Sequence, residues 1–568
     1  LVDDVDGAVK DNTKATRFFG SLYANWNITK DLLFRTTLGV DVRNKRRGYY
    51  CSANSLDGEG KDSKSLKEHT IESGITWENV LTYSKILGEH DFQIMGGTST
   101  IYKSKEYTLA SGKGQTYGGN IYHNLASNTK EVMIDSYLNE EKLASFFGRV
   151  NYKFMDRYIL TASLRADGSS LLADGHKWGY FPSVAVAWRM NEESFLKGFD
   201  ELSNLKLRLS WGESGQSAID QTVGLLGSST YSFNNDLASG LYPKTMSNKN
   251  LTWETTSVFD LGVDFGFFNN RLSGSVDVYK SYTRNVLMNR KIPSTNGYTE
   301  VMENIGKTEN FGIDVALNSV NIQKKNFTWT TDFTLSHNKE KIKELASGAL
   351  RDEANSWFVG EAFQVFYDYK KIGIWQLDEA DEAAKNGQKP GDIKIQDTDG
   401  NGEITPEDRV IYSKRPKVTF GINNSFTIHD FEFSFFIYSR LGQWIDYEFN
   451  RGYKPDGLEN SSNVDYWTPE NPTNNFPRPN RFYGFGKTRY SSTLKYEKGS
   501  FVKVRDVTLA YNIPSKVLAS LGLGRARIYA TAKNFFTFSS IDNYDPERGG
   551  GISFPMTKQL VFGVNLDF

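Results

Sequence analysis

Residues 397 to 408 read DTDGNGEITPED. This is the spacing of a calcium-binding loop. Oxygens at positions 1, 3, 5, 7, 9 and 12 surround the ion, and a glycine at position 6 permits the sharp turn. Asp397, Asp399 and Asn401 offer side-chain oxygens at positions 1, 3 and 5, and Gly402 occupies position 6. Glu403 would give its backbone carbonyl, Thr405 a direct or water-mediated contact, and Asp408 the closing carboxylate. Asp is shorter than the usual Glu at position 12, so closure through one oxygen or a water is expected. The competing reading is a glycine-turned acidic loop without metal. Helical patterns do not clearly flank the segment, so an isolated loop is expected rather than a paired helix–loop–helix.

A second group of side chains could bind sugars, because flat aromatic rings stack on pyranose faces. Trp178, Tyr180, Trp211, Trp357, Trp375 and Trp444 lie in loops or near the ends of extended segments, as does Trp467. The competing reading is a girdle of aromatic residues at membrane interfaces. No arrangement suggests catalysis. His69, His90, His123, His176, His337 and His429 lack metal-ligand spacing, and neither H-E-x-x-H nor G-x-S-x-G occurs. Gly522 and Gly524 lack the third glycine of a dinucleotide fingerprint. Carboxylate pairs such as Glu140–Glu141 are adjacent, which on a strand directs them to opposite faces. No enzymatic activity and no organic cofactor are expected.

These groups sit among segments of period two. In FDLGVDFGFFNNRLSGSVDVYK (259–280), Phe259, Leu261, Val263 and Phe265 share one face, and Asp260, Gly262 and Asp264 share the other. After the Asn-Asn turn the pattern resumes with Leu272, Gly274, Val276 and Val278. Alternation of this kind marks strands with one apolar face. Residues 16–29 (Phe18, Leu22, Ala24, Trp26, Ile28), 32–43 (Leu32, Phe34, Leu38, Val40, Val42) and 157–167 repeat it. About 17 strands are expected, most of about 10–13 residues, the length a tilted strand needs to cross a bilayer. Short connections (29–31, 155–156, 269–270, 429–430) alternate with long ones (44–70, 103–145, 168–180, 214–255, 284–305, 338–417, 440–500, 537–558). Short turns at one end and long loops at the other characterise outer-membrane barrels. The apolar faces then touch lipid and the polar faces line a wet lumen. A soluble antiparallel sandwich is the rival fold, but its strands usually have about 5–6 residues.

Composition agrees. The 568 residues carry a net charge of −1, which gives no electrostatic case for nucleic acid. The single Cys51 excludes a disulfide within the chain. No run reaches the roughly 18 apolar residues of a membrane helix. The sequence ends QLVFGVNLDF, an amphipathic strand closing on an aromatic residue.

Several blocks resemble the SusC/RagA family of TonB-linked outer-membrane proteins. They include RYILTASLRADGSSLLADGHKWGYFPSVAVAWRMNEESFL (157–196), NLTWETTSVFDLGVDFGFFNNRLSGSVDVY (250–279), IPSTNGYTEVMENIGKTENFGIDVAL (292–317), GDIKIQDTDGNGEITPEDRVI (391–411) and VKVRDVTLAYNIPSKVL (502–518). The resemblance runs from about Thr16 to Phe568. It implies an all-β fold, a transmembrane antiparallel barrel of 22 strands with an N-terminal plug, of which about 17 strands are read in residues 1–568. It further implies import of nutrients, glycans or peptides, across the bacterial outer membrane. A SusD-like surface lipoprotein would act as lid, and TonB–ExbB–ExbD would supply energy. Plug, TonB box and the first five strands are not recognised in the sequence. Strand 16–29 and strand 558–568 are therefore expected to expose edges or to pair with polypeptide outside it. A passive channel and a barrel-anchored adhesin are the alternatives. The acidic segment 391–411 becomes an insert in the extracellular connection 338–417.

Overall fold

The computed structural model describes residues 8–217, 226–233, 236–243, 246, 248–292, 295, 297–298, 300–345, 348–458, 460–482, 488–519 and 522–567. Seventeen strands form one antiparallel sheet. They are β1 (Val9–Thr29), β2 (Leu32–Cys51), β3 (Lys64–Leu87), β4 (His90–Gln115), β5 (Asn128–Phe154), β6 (Tyr158–Ser169), β7 (Trp178–Arg189) and β8 (Leu202–Gln216). After them come β9 (Glu254–Phe267), β10 (Leu272–Lys291), β11 (Glu300–Lys324), β12 (Phe327–Glu344), β13 (Val418–Ile428), β14 (Phe431–Leu441), β15 (Phe501–Asn512), β16 (Arg525–Ser539) and β17 (Gln559–Asp567). Successive strands pair up and down, as in the unbroken β2–β3 and β3–β4 ladders and in β1–β2, whose register shifts once, between Asn27 and Thr29.

The short connections are tight turns whose residues tolerate positive φ. Asn269 and Asn270 sit at 56° and 60°, and His429 at 56°. Asn reaches this region because its side chain can bond the local backbone.

The first five strands are much longer than expected, with 24, 26 and 27 residues in β3, β4 and β5. Stretches within 44–70 and 103–145, expected as loops, continue the ladders. Backbone pairing needs no apolar face once a hairpin has left the bilayer. There both faces turn polar, as at Asn44–Arg47 and Lys103–Glu106, which erases the alternation.

Two compact units are distinguished: residues 1–187, 210–257 and 283–305, and residues 188–209, 258–282 and 306–568. In the first, Leu172, Phe181, Leu251 and Trp253 form a buried cluster, backed by Leu143, Leu287 and Met302. The Trp253 indole N–H donates to the Lys177 carbonyl at 2.9 Å. In the second, Ile374, Ile393, Ile395, Trp467 and Leu494 bury one another. Connections 345–417 and 442–500 thus share a core of their own. Small ladders stitch it: 365–368 with 410–413, 371–374 with 393–395, and 444–446 with 496–498. Gly391, at φ +87°, brings the backbone onto Trp467; a Cβ there would lie 2.6 Å from the ring.

On β9 the two faces separate as the alternation requires. Phe259 is 49% exposed and Leu261 42%, so neither is enclosed between two sheets. Asp264, on the opposite face, is held by Arg208.

Candidate functional site

The acidic loop leaves the end of the 393–395 strand and closes on a 3-10 turn, Pro406–Asp408. Its ligand-type oxygens converge: atoms of Asp397, Asp399 and Asp408 lie within 4.8 Å of one another. Asp397 accepts the Gly400 N–H at 2.7 Å and the Gly402 N–H at 2.8 Å. The Gly402 N–H is the main reason its carboxyl stays below the usual carboxylate range. Gly402 is at φ +88°, a conformation that suits glycine. Asn401 accepts the Glu403 N–H at 2.8 Å and donates to Asp399 at 2.9 Å. Asp408 is fully buried, and its two oxygens accept the Thr398 N–H (2.6 Å) and the Thr405 N–H (2.8 Å). Asp408 Oδ1 also accepts the Asp399 N–H at 3.4 Å, whereas each Asp397 oxygen accepts one amide and keeps a lone pair. Three carboxylates this close repel one another, so a hard cation would satisfy them. Glu403 lies in the exposed part of the loop.

The aromatic candidates divide into two groups. Trp178 and Tyr180 share the exposed face of β7 with Val184 and Val186, and Trp178 stacks on Phe146 at 6.0 Å. Trp211 shares the exposed face of β8 with Leu209, and its N–H donates to Ser257 at 2.9 Å. All three lie on the apolar faces, where an interfacial girdle sits. Trp357, Trp375 and Trp444 belong to the extracellular connections. Trp375 is buried, donates to Gln388 at 3.1 Å and carries Lys394 over its ring at 4.3 Å. Trp444 meets Tyr412 edge-on at 4.7 Å, and Trp357 meets Phe363 at 5.8 Å. Trp467 is buried and donates to Gln376 at 3.0 Å. Trp375 and Trp467 are thereby occupied in packing.

The polar faces carry paired charges. In the first unit Arg17 grips Asp41 through two bonds of 2.7 and 2.8 Å. Arg47 bonds Asp11 at 2.8 Å and approaches Glu68, and Lys103 meets Glu141 at 3.1 Å. Arg17, Asp41, Arg43, Glu72, Lys103 and Glu141 line a cavity of about 630 Å³. In the second unit Arg208 bridges Asp264 (2.8 Å) and Asp277 (2.7 Å), with Lys206 on Asp264 at 2.8 Å. Near the short-turn end, Glu432 accepts from Asn512 and Arg527 at 2.8 and 2.9 Å. These walls are hydrophilic and largely neutralised, suited to a hydrated path.

Two features escaped the sequence reading. Lys503 on β15 is fully buried between Asp545 and Glu547, each at 2.6 Å. Lys371 and Glu497 are half-buried in the core of the extracellular connections. Burial pushes the Lys371 ammonium down and the Glu497 carboxyl up. Both depend on partners more than 40 residues away, and neither has a local signature.

Residues 3–535 match the family described as TonB dependent receptor-like, beta-barrel. The chain is 32% identical to TonB-dependent receptor P3 of Formosa agariphila, covering 100% of this chain and 60% of that protein. It is 31% identical to TonB-dependent receptor SusC of Bacteroides thetaiotaomicron, covering 87% of this chain and 50% of that protein. The chain spans 50% to 60% of the length of the curated relatives it matches. The solved RagAB peptide transporter superposes with a TM-score of 0.86 at 23% identity, over 99% of this chain and 63% of that one, which shows the shared β-barrel fold. With its antiparallel sheet, apolar outer faces and polar inner faces, this chain belongs to the TonB-dependent receptor-like β-barrel family of the bacterial outer membrane.

Proposed function

We propose that the chain forms the wall of an active importer that takes up oligosaccharides or peptides, under a SusD-like lipoprotein lid and with energy from TonB–ExbB–ExbD. The observation that carries this reading is the contrast between faces. Leu261 and Phe259 are exposed on one side, and Arg208, Asp264 and Asp277 are linked on the other. A wall of paired opposite charges solvates polar solutes without a strong field of one sign. Neutral sugars and zwitterionic peptides fit such a wall better than polyanions do. The relatives' names support the class: SusC is a TonB-dependent receptor, and RagAB is a peptide transporter.

The packed extracellular connections support the lid. These connections also carry exposed apolar side chains, Leu458 and Phe482 among them. Ordered apolar groups make contact surfaces at low entropic cost. Within the same connections, residues 397–408 hold calcium in this proposal, through the converging oxygens of Asp397, Asp399 and Asp408.

Uptake of fluorescently labelled oligosaccharides and peptides by cells with and without TonB, and with a proton uncoupler, tests the function. Active import predicts uptake of one substrate class that stops when TonB or the gradient is removed. Uptake that persists without either would make the protein a passive channel.

A further inference from the structure

On the polar face of β1 and β2, Arg35 sits over the Tyr23 ring, and the other arginines, Arg17, Arg43 and Arg47, each meet a carboxylate. The opposite face of these strands and of β3 behaves differently. On β1 and β2, Lys14 lies directly across from Arg46. Arg46 lies across from His69 on β3, and Lys67 lies across from Gly48, diagonal to Arg46. Lys14, Arg46 and Lys67 are exposed. Among the described residues none of these three forms an ion pair. The His69 ring bonds the Asn44 side chain at 3.0 Å. The nearest carboxylate in register, Glu106, stands across from Ile71 and makes no ion pair with them. Like charges directly opposite on a sheet are destabilising, and an anion from outside the sheet would relieve this cluster.

Its height fits one source. The apolar face of β2 runs from Leu32 to Val42, ten steps of about 3.3 Å, which at the usual tilt is about 25 Å tall. Arg46 is four residues further on, about 10 Å above that band. Two residues beyond Arg46, the Tyr122 ring covers Gly48, where a Cβ would lie 2.4 Å away. The covering segment, residues 116–127, has no Asp or Glu. The cations therefore form a shelf between the lipid-facing band and a loop in water.

We propose that Lys14, Arg46, Lys67 and His69 bind the phosphate of an anionic lipid headgroup in the outer leaflet. Each basic residue near a membrane surface contributes about 1 kcal/mol of attraction to anionic lipid. Removing three should therefore weaken the preference on the order of a hundredfold. The experiment reconstitutes the intact protein in nanodiscs of phosphatidylcholine with a minor fraction of phosphatidic acid, and counts retained lipids by native mass spectrometry. Wild type should retain phosphatidic acid in strong excess over its share, and the excess should fall as salt rises. The triple variant Lys14→Gln, Arg46→Gln, Lys67→Gln should lose it, and Lys45→Gln, on the opposite face of β2, should keep it. Heat-shifted electrophoretic mobility reports that each variant folds. Equal retention by wild type and the triple variant would overturn the proposal. So would a wild-type preference insensitive to salt, or full competition by inorganic phosphate at the lipid's concentration, which would make the ligand a free anion.

Discussion

Replacing Lys503 by Met should release the connection 540–558 while leaving the sheet assembled. Lys503 is fully buried, and its ammonium reaches Asp545 and Glu547 at 2.6 Å each. Asp545 also caps the turn Pro546–Arg548 by accepting the Glu547 N–H at 3.0 Å. Methionine fills the stem's volume but removes the charge. Among the described residues, Arg505, 3.5 Å from Glu547, is then the one cation left beside these two nearly enclosed carboxylates. Breaking a buried pair by deleting one partner costs about 3–5 kcal/mol, because the other charge stays behind uncompensated. At about 1.4 kcal/mol per factor of ten, local opening should become roughly a hundred- to several-thousand-fold more frequent. Hydrogen exchange of peptides covering 540–557, read by mass spectrometry, measures this against peptides of β15 and β16, which should stay protected. The triple variant Lys503→Met, Asp545→Asn, Glu547→Gln should recover most of the protection, since it leaves no buried charge. Exchange in the single variant within threefold of wild type would refute the reasoning.

The other expectations concern separate parts of the chain. The Asp397→Ala, Asp399→Ala double variant should show no calcium binding by calorimetry where wild type binds; a wild type silent at millimolar calcium would leave the loop as a turn. Leu261→Arg places a charge in lipid at a cost of about 2–4 kcal/mol near the midplane, and should lower the assembled fraction, whereas Ser275→Arg on the polar face should not. Burial raises the Glu497 carboxyl above its ordinary value, so its contribution to stability is fully present below that value and is lost as pH rises through the raised one. Glu497→Gln should therefore make the extracellular core more resistant to proteolysis at neutral pH, with the difference vanishing below the ordinary Glu value of about 4.3. Phe482→Asp with Leu458→Asp should weaken capture of the lipoprotein lid and leave the sheet intact, since both side chains are exposed at 83% and 76%.

The fold was legible where one side of a strand meets lipid and the other meets water. The alternation around Phe259, Leu261 and Asp260 located β9, the start of β10 and their Asn-Asn turn to within a few residues, while β10 runs on to Lys291, inside the expected connection 284–305. It gave out at Asn44 and Lys103, where paired strands continue into water and need no apolar face. The acidic loop was legible because its geometry is local: Asp397 bonds amides three and five residues away. The aromatic residues were ambiguous because a tryptophan serves equally in a girdle, a core or a sugar site. Only the register shows that Trp178 and Trp211 share faces with Val184 and Leu209, and that Trp375 is enclosed. The Lys503 clamp and the burial of Lys371 and Glu497 were illegible, since they arise from distant segments that only folding brings together.

The account rests on two opposite environments along a single strand, and β9 allows them to be read directly. In a Cys51→Ser background, single cysteines at Phe259, Leu261 and Val263 and at Asp260 and Asp264 can be labelled in the membrane-embedded protein. The account predicts that a probe at 259, 261 or 263 is quenched by nitroxide lipids and shielded from water-soluble maleimide, and that 260 and 264 react with maleimide and escape lipid quenching. Shielding of both sets from lipid and water alike would place β9 in a closed soluble core and contradict the barrel wall.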